Sequence, residues 1–167
     1  AVNVVDAATV IPCGTPFGIK MFTDGVLVVG MSDVDTASGP KNPARSAGIK
    51  IGDVLLSIDG TAVNTTEKVA ELIETAGNKT MSFHIRRDNI AFDVNFRCEK
   101  SVNENRWKAG LWVRDSSAGI GTLTFYVPGS DVFAGLGHAV CDVDTGDVLP
   151  LSTGEVVPAR IYSVVKG

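Results

Sequence analysis

Between Thr80 and Arg97 the apolar residues fall on every second position: Met81, Phe83 and Ile85, then, past Asp88-Asn89, Ile90, Phe92, Val94 and Phe96. A period of two puts each set on one face of an extended strand, and two such runs joined by turn formers read as a hairpin with one buried side. The competing helical period occurs in one stretch. Val69, Leu72, Ile73 and Ala76 fall at i, i+3, i+4 and i+7, with Thr65 or Thr66 available as N-cap and Gly77 as the stop. The expected class is mainly β with one helix, the helix capping the sheet.

Upstream, Gly25 to Gly30 is a β-branched run bounded by glycines and reads as a buried strand. Ser32 to Pro43 is rich in turn formers without an apolar period and reads as a loop. Gly48 and Gly52 then punctuate a tight turn before the strand Val54 to Ile58, which closes at Asp59-Gly60. The polar run Glu99 to Arg106 contributes little to a core and reads as a linker. Beyond it come short Gly-rich strands, as in an all-β barrel or sandwich. The expected division is an extension over 1–10, one module over 11–98, the linker over 99–106 and a second module over 107–167. About 60 residues is little for a stable barrel, so further sequence is expected downstream.

Composition excludes several classes. The formal charge of −4 comes from scattered acids, with no basic stripe to neutralise phosphates, so nucleic acid is not an expected partner. No apolar run approaches the roughly 20 residues that span a bilayer. The chain starts at Ala1 rather than Met, and an N-terminal segment, with any membrane anchor, is expected to have been removed. Cys13, Cys98 and Cys141 are widely spaced and read as buried or free thiols. Asp142, Asp144 and Asp147 lack the glutamate that completes a calcium loop and read as an acidic turn, so no metal and no cofactor are expected. His84 and the Arg86-Arg87 pair read as solvent-facing groups on a strand.

The run Arg45 to Gly60, RSAGIKIGDVLLSIDG, followed by a capped helix and an apolar strand, resembles bacterial PDZ domains. The resemblance implies a domain that binds an extended peptide as an added strand, with the peptide's carboxylate held by a loop of backbone N–H groups. Phe17-Gly18-Ile19 resembles that loop, and Lys20, Met21 and Phe22, running to Thr23, the edge strand. Matching the helix to the family's puts Thr66, Ala70 and Ile73 toward the ligand and Val69 and Leu72 toward the core. PDZ domains that read a ligand hydroxyl often carry His where Thr66 stands. A groove that is filled or autoinhibited is the competing expectation.

Arg114 to Asp144, with RDSSAGIGTLTFY and then FAGLGH and DVDT, is similar to the opening of the peptidase domain of the stage IV sporulation protein B family. The order, PDZ first, is the reverse of the HtrA arrangement. The resemblance implies part of a trypsin-like β-barrel that transfers an acyl group to a serine. His138 matches the family's general base, whose imidazole can take and return a proton near neutral pH. The family's serine lies in a Gly-rich turn with an aspartate upstream. Neither is matched here: Ser116, Ser117, Ser130, Ser152 and Ser163 lack the glycine context of an oxyanion hole. The expected function is therefore a truncated, inactive portion of a sporulation-signalling serine endopeptidase whose PDZ domain delivers or restrains substrate. The family setting implies export to the space between forespore and mother-cell membranes, and activation there of a sigma factor. The expected partner is a protein or peptide presenting an extended C-terminus or internal strand, or a second copy through the groove. A non-catalytic PDZ adaptor with an extra β-module is the alternative.

Overall fold

The computed structural model describes residues 9–136, 146 and 151–163. In chain order the elements are β1 (Ile11–Pro12), β2 (Pro16–Met31), β3 (Val34–Thr36), β4 (Gly39–Lys41), α1 (Pro43–Ser46), β5 (Val54–Ile58), β6 (Thr61–Ala62), α2 (Thr66–Ala76), β7 (Thr80–Arg87), β8 (Ile90–Arg97), β9 (Glu99–Lys100), β10 (Trp107–Lys108), β11 (Leu111–Tyr126), β12 (Phe133–Leu136) and β13 (Leu151–Pro158). The molecule is mainly β. It divides into a unit of Phe22–Ser117 with Val140–Thr153, and a unit of Ala1–Met21, Ala118–Ala139 and Gly154–Gly167.

In the first of these units the order is β2-β5-β7-β8, with β6 beside β5 and the early part of β11 on the other side of β2. The hairpin of β7 and β8 pairs Met81 with Phe96, Phe83 with Val94 and Ile85 with Phe92. Asp88 and Asn89 both have positive φ, at 49° and 64°, the backbone of a tight hairpin turn. Met81, Phe83 and Ile85 are buried, as are Val94 and Phe96, and the Phe83 and Phe96 rings stack at 4.4 Å. Ile90 departs from its expected place in the core. It pairs with Arg87 beside the hairpin turn and is 68% exposed.

Helix α2 runs over the expected residues. The Thr65 hydroxyl accepts from the Lys68 N–H, and Gly77 closes the other end with its own N–H on the Ile73 carbonyl. Val69 and Ile73 are buried in the cluster that holds Val26, Leu55, Phe83 and Phe96, with Leu72 and Ala76 packed on it. Each large apolar side chain taken fully from water contributes about 1.5–3 kcal/mol, so this stripe fixes the helix on the sheet.

Two stretches depart from the sequence reading. The expected loop Ser32 to Pro43 contains the β3–β4 hairpin and leads into α1, a second helix of one turn. Asn42 caps α1, its side-chain oxygen accepting from the Arg45 N–H at 2.9 Å. The polar run 99–106 is held at its start, where β9 pairs with β10, and Ser101 within it is buried.

Arg87 also departs from a solvated strand end. Its Nε and Nη2 donate to the two carboxylate oxygens of Asp53 at 2.6 and 2.7 Å, and its Nη2 donates to the Gly48 carbonyl. Asp53, the aspartate of the Gly52-Asp53 turn, is 1% exposed and also accepts from the Lys50 N–H. A buried carboxylate needs this pairing.

In the other unit β1 and β12 both pair with the Thr122–Tyr126 end of β11. The Phe17 ring sits against Gly121 and Gly135 and meets Phe133 edge-on at 6.4 Å. The described strands do not close into a barrel.

Candidate functional site

A cavity of about 360 Å³ lies along α2. Thr66, Val69, Ala70 and Ile73 form its helical wall, Lys108 to Val113 face them, and Ser32 to Asp35 close the rim. The facing wall is the start of β11, and four sets of hydrogen bonds hold it. The Ser32 N–H donates to the Gly110 carbonyl at 3.2 Å and the Ala44 N–H to the Ala109 carbonyl at 3.0 Å. Asn42, buried and capping α1, donates through Nδ2 to the carbonyls of Ser32 and Gly110. The Trp112 indole N–H donates to the Ser32 hydroxyl. Further along, the Thr23 hydroxyl donates to the Asp115 carbonyl at 3.0 Å.

The strand is also tied to both ends of the helix. The Thr66 N–H, in the first turn where N–H groups lack helical partners, donates to the Asp115 carboxylate at 2.8 Å. The Trp107 N–H donates to Glu74 Oε2 at 2.9 Å, and the Trp107 indole rests over Gly77. Gly110 could be no other residue without rearrangement. Its φ is +79°, and a side chain there would begin 2.9 Å from the Asn42 amide.

Thr66, Ala70 and Ile73 therefore share one cavity wall. Ile73 faces both ways, since it is also part of the buried core. Phe22 lies in the same unit, in β2, whereas Phe17, Gly18, Ile19, Lys20 and Met21 belong to the other unit. The expected loop Phe17-Gly18-Ile19 is strand, within β2. A side chain at Gly18 would begin 2.8 Å from Val157 Cγ2. His138, Cys141, Asp142, Asp144 and Asp147 lie outside the described residues. Sequence reasoning missed Asn42, Gly110, Trp112 and Asp115, whose roles depend on pairing between distant segments. The glycine at 110, ahead of an apolar strand, was the one local signal.

Residues 34–87 match the PDZ domain family, and residues 105–167 match the SpoIVB peptidase S55 family. Two separate stretches of the chain are thus similar to a PDZ domain and to part of a SpoIVB-type S55 peptidase. The helical wall of the cavity falls in the PDZ match and the facing wall in the S55 match. Among curated proteins, a serine protease HTRA1 from Xenopus laevis is 42% identical over 50 residues, which is 30% of this chain and 10% of that protein. The chain thus spans about a tenth of that relative's length. Among solved structures, the PDZ domain of an SdrC-like protein from Listeria monocytogenes matches 54% of this chain and 87% of its own, at 15% identity and a TM-score of 0.43.

Two groups near the PDZ core titrate abnormally. Burial pushes the Cys98 thiol up to about 12, with Glu99 adding to the shift. The hydrogen bonds to Asp53 raise Arg87 further above its already high value. Among the described residues no group of three or more His, Cys, Asp or Glu is placed to hold a metal ion, and no helix is long and apolar enough to cross a membrane.

Proposed function

We propose that the chain is the peptide-binding and base-carrying part of a serine endopeptidase, with the α2 cavity taking an extended peptide and His138 acting as general base. The observation that carries the first half is the convergence of Thr66, Ala70 and Ile73 on one cavity in the PDZ-matched region. The second half is supported by the position of His138 inside the S55 match. In acyl transfer such a histidine takes the serine proton as the serine oxygen attacks the carbonyl, then returns it to the leaving amine. Acylation needs nucleophile, base and oxyanion donors together, and only the base is matched here. These 167 residues alone therefore do not hydrolyse peptides. The family's setting extends the reading to export from the forespore and to sporulation signalling between the two membranes, with the PDZ domain delivering or restraining the substrate.

The test is hydrolysis of a protein substrate by the full-length protein and by its His138→Ala variant. Removing a triad member typically costs on the order of 10⁴ to 10⁶ in kcat. The variant is expected to be folded and to lose turnover on that scale, while the 167-residue chain shows none. Full activity of the variant would overturn the assignment of the base. Hydrolysis by the 167-residue chain, with a serine in it labelled by a covalent serine-directed inhibitor, would overturn the missing nucleophile.

A further inference from the structure

β2 is an interior strand, with β5 along one edge and β11 along the other. An extended peptide joins a sheet by pairing with the backbone of a free edge, and with β11 in place this edge of β2 is taken. Within the unit of Phe22–Ser117 the part of β11 that takes it is Leu111 to Ser117. Thr23, expected on an open edge, instead donates its hydroxyl to the Asp115 carbonyl.

The occupying segment is lightly held. None of Leu111 to Ser117 is fully buried, and Trp112 is 63% exposed. Leu111 and Val113 pack on the core cluster from outside, whereas its buried members end, in chain order, at Ala109. Upstream the anchorage is stronger. The carbonyls of Ala109 and Gly110 accept from the Ala44 and Ser32 N–H groups, and the buried Asn42 amide reinforces the second of these bonds. Gly110, at φ +79°, stands between the anchored and the lightly held parts, a backbone position where residues with side chains are strained.

The contact at Thr66 shows what the segment excludes. Thr66 is the first residue of α2, so its N–H has no acceptor within the helix. The Asp115 carboxylate supplies one at 2.8 Å. The segment therefore holds the start of α2 as well as the edge of β2, the two places that an added strand would meet.

We propose that Leu111 to Ser117 is a built-in occupant of the groove, a strand that pivots at Gly110 and must leave β2 and α2 before an extended peptide can enter. This rests on the reading of α2 as a peptide-groove wall. The apparent dissociation constant of a groove ligand is then the intrinsic one divided by the fraction of molecules whose strand is released. Loosening the strand tightens binding without a new contact to the ligand.

Two measurements test this. Amide hydrogen exchange of the ¹⁵N-labelled 167-residue chain reads the release itself. The Thr66 N–H, whose acceptor is Asp115, is expected to have a protection factor at least tenfold below those of Phe83 and Ile85 in the core. Equal protection would show that the strand leaves only on global unfolding, against the proposal. The second is isothermal titration with an acetylated and amidated heptapeptide of the sequence Leu111–Ser117. It is added to the unmodified chain, to Trp112→Ala, to Asp115→Ala and to Asp115→Ala combined with Ala70→Arg. Trp112 and Asp115 lie outside the buried cluster, so their variants keep the core. Each is expected to bind at least fivefold more tightly than the unmodified chain, the change in released fraction that loss of one such tie produces. Adding Ala70→Arg is expected to remove that gain. Equal affinity of the unmodified chain and both loosened variants, with Ala70→Arg still weakening it, would overturn the displacement and leave the groove reading standing. Affinity undiminished by Ala70→Arg would overturn the groove reading and this inference with it. No binding to any of these chains would overturn this inference alone, since the segment would then have no affinity for the place it fills.

Discussion

Asp53 and Arg87 carry the largest single-residue consequence in the PDZ-matched region. The carboxylate is buried, both of its oxygens accept from the guanidinium, and one of them also accepts from the Lys50 N–H. Arg87→Ala would strand that charge, which in buried pairs costs about 3–5 kcal/mol. Because the Arg87 side chain is itself partly exposed, water can recover some of this, and a loss of about 2–3 kcal/mol in urea unfolding is expected. A loss under 0.5 kcal/mol would show the pair to be ornamental. Cys98 gives a second residue-scale test. With its folded value raised to about 12 from 9.0, the unfolded chain releases the thiol proton first as pH rises. The stabilisation is therefore complete below pH 9 and is lost progressively toward pH 12. Peptide mapping after iodoacetamide treatment at pH 8 is expected to find Cys98 unmodified in the native chain and modified in denaturant. Native labelling at equal rate would contradict its burial.

At the scale of elements, what was legible in the sequence was what repeats locally. The period of two in β7 and β8, the 3.6-residue period and caps of α2, and the glycines around Asp53 each announce themselves within a dozen residues. The β3–β4 hairpin does not, because strands of three residues are too short to show a period. The strand wall of the cavity was illegible for a different reason. It is made by Ser32, Asn42 and Ala44 gripping Ala109 and Gly110, and no local pattern states which distant segments pair. Phe17-Gly18-Ile19 has the composition of a loop, yet it lies within the strand β2, and its glycine is closely approached by Val157. The tie between β11 and α2 is testable by itself. Asp115→Ala removes the acceptor of the Thr66 N–H at the helix start, a loss of about 1 kcal/mol in urea unfolding, and Asp115→Asn is expected to recover part of it by keeping an oxygen in place. Unchanged stability in both variants would mean that the bond is not populated.

For the whole molecule, the two family matches meet across one cavity: α2 from the PDZ-matched stretch and the start of β11 from the S55-matched stretch. The claim on which this account turns is that the α2 cavity is where peptide binds. Ala70 is exposed on the helical wall and outside the buried cluster, so an arginine there fills the groove without disturbing the core. Isothermal titration of the chain and its Ala70→Arg variant with an N-acetyl hexapeptide ending in valine measures the claim directly. The account predicts at least a tenfold loss of affinity in the variant at unchanged melting temperature, and undiminished affinity would contradict it.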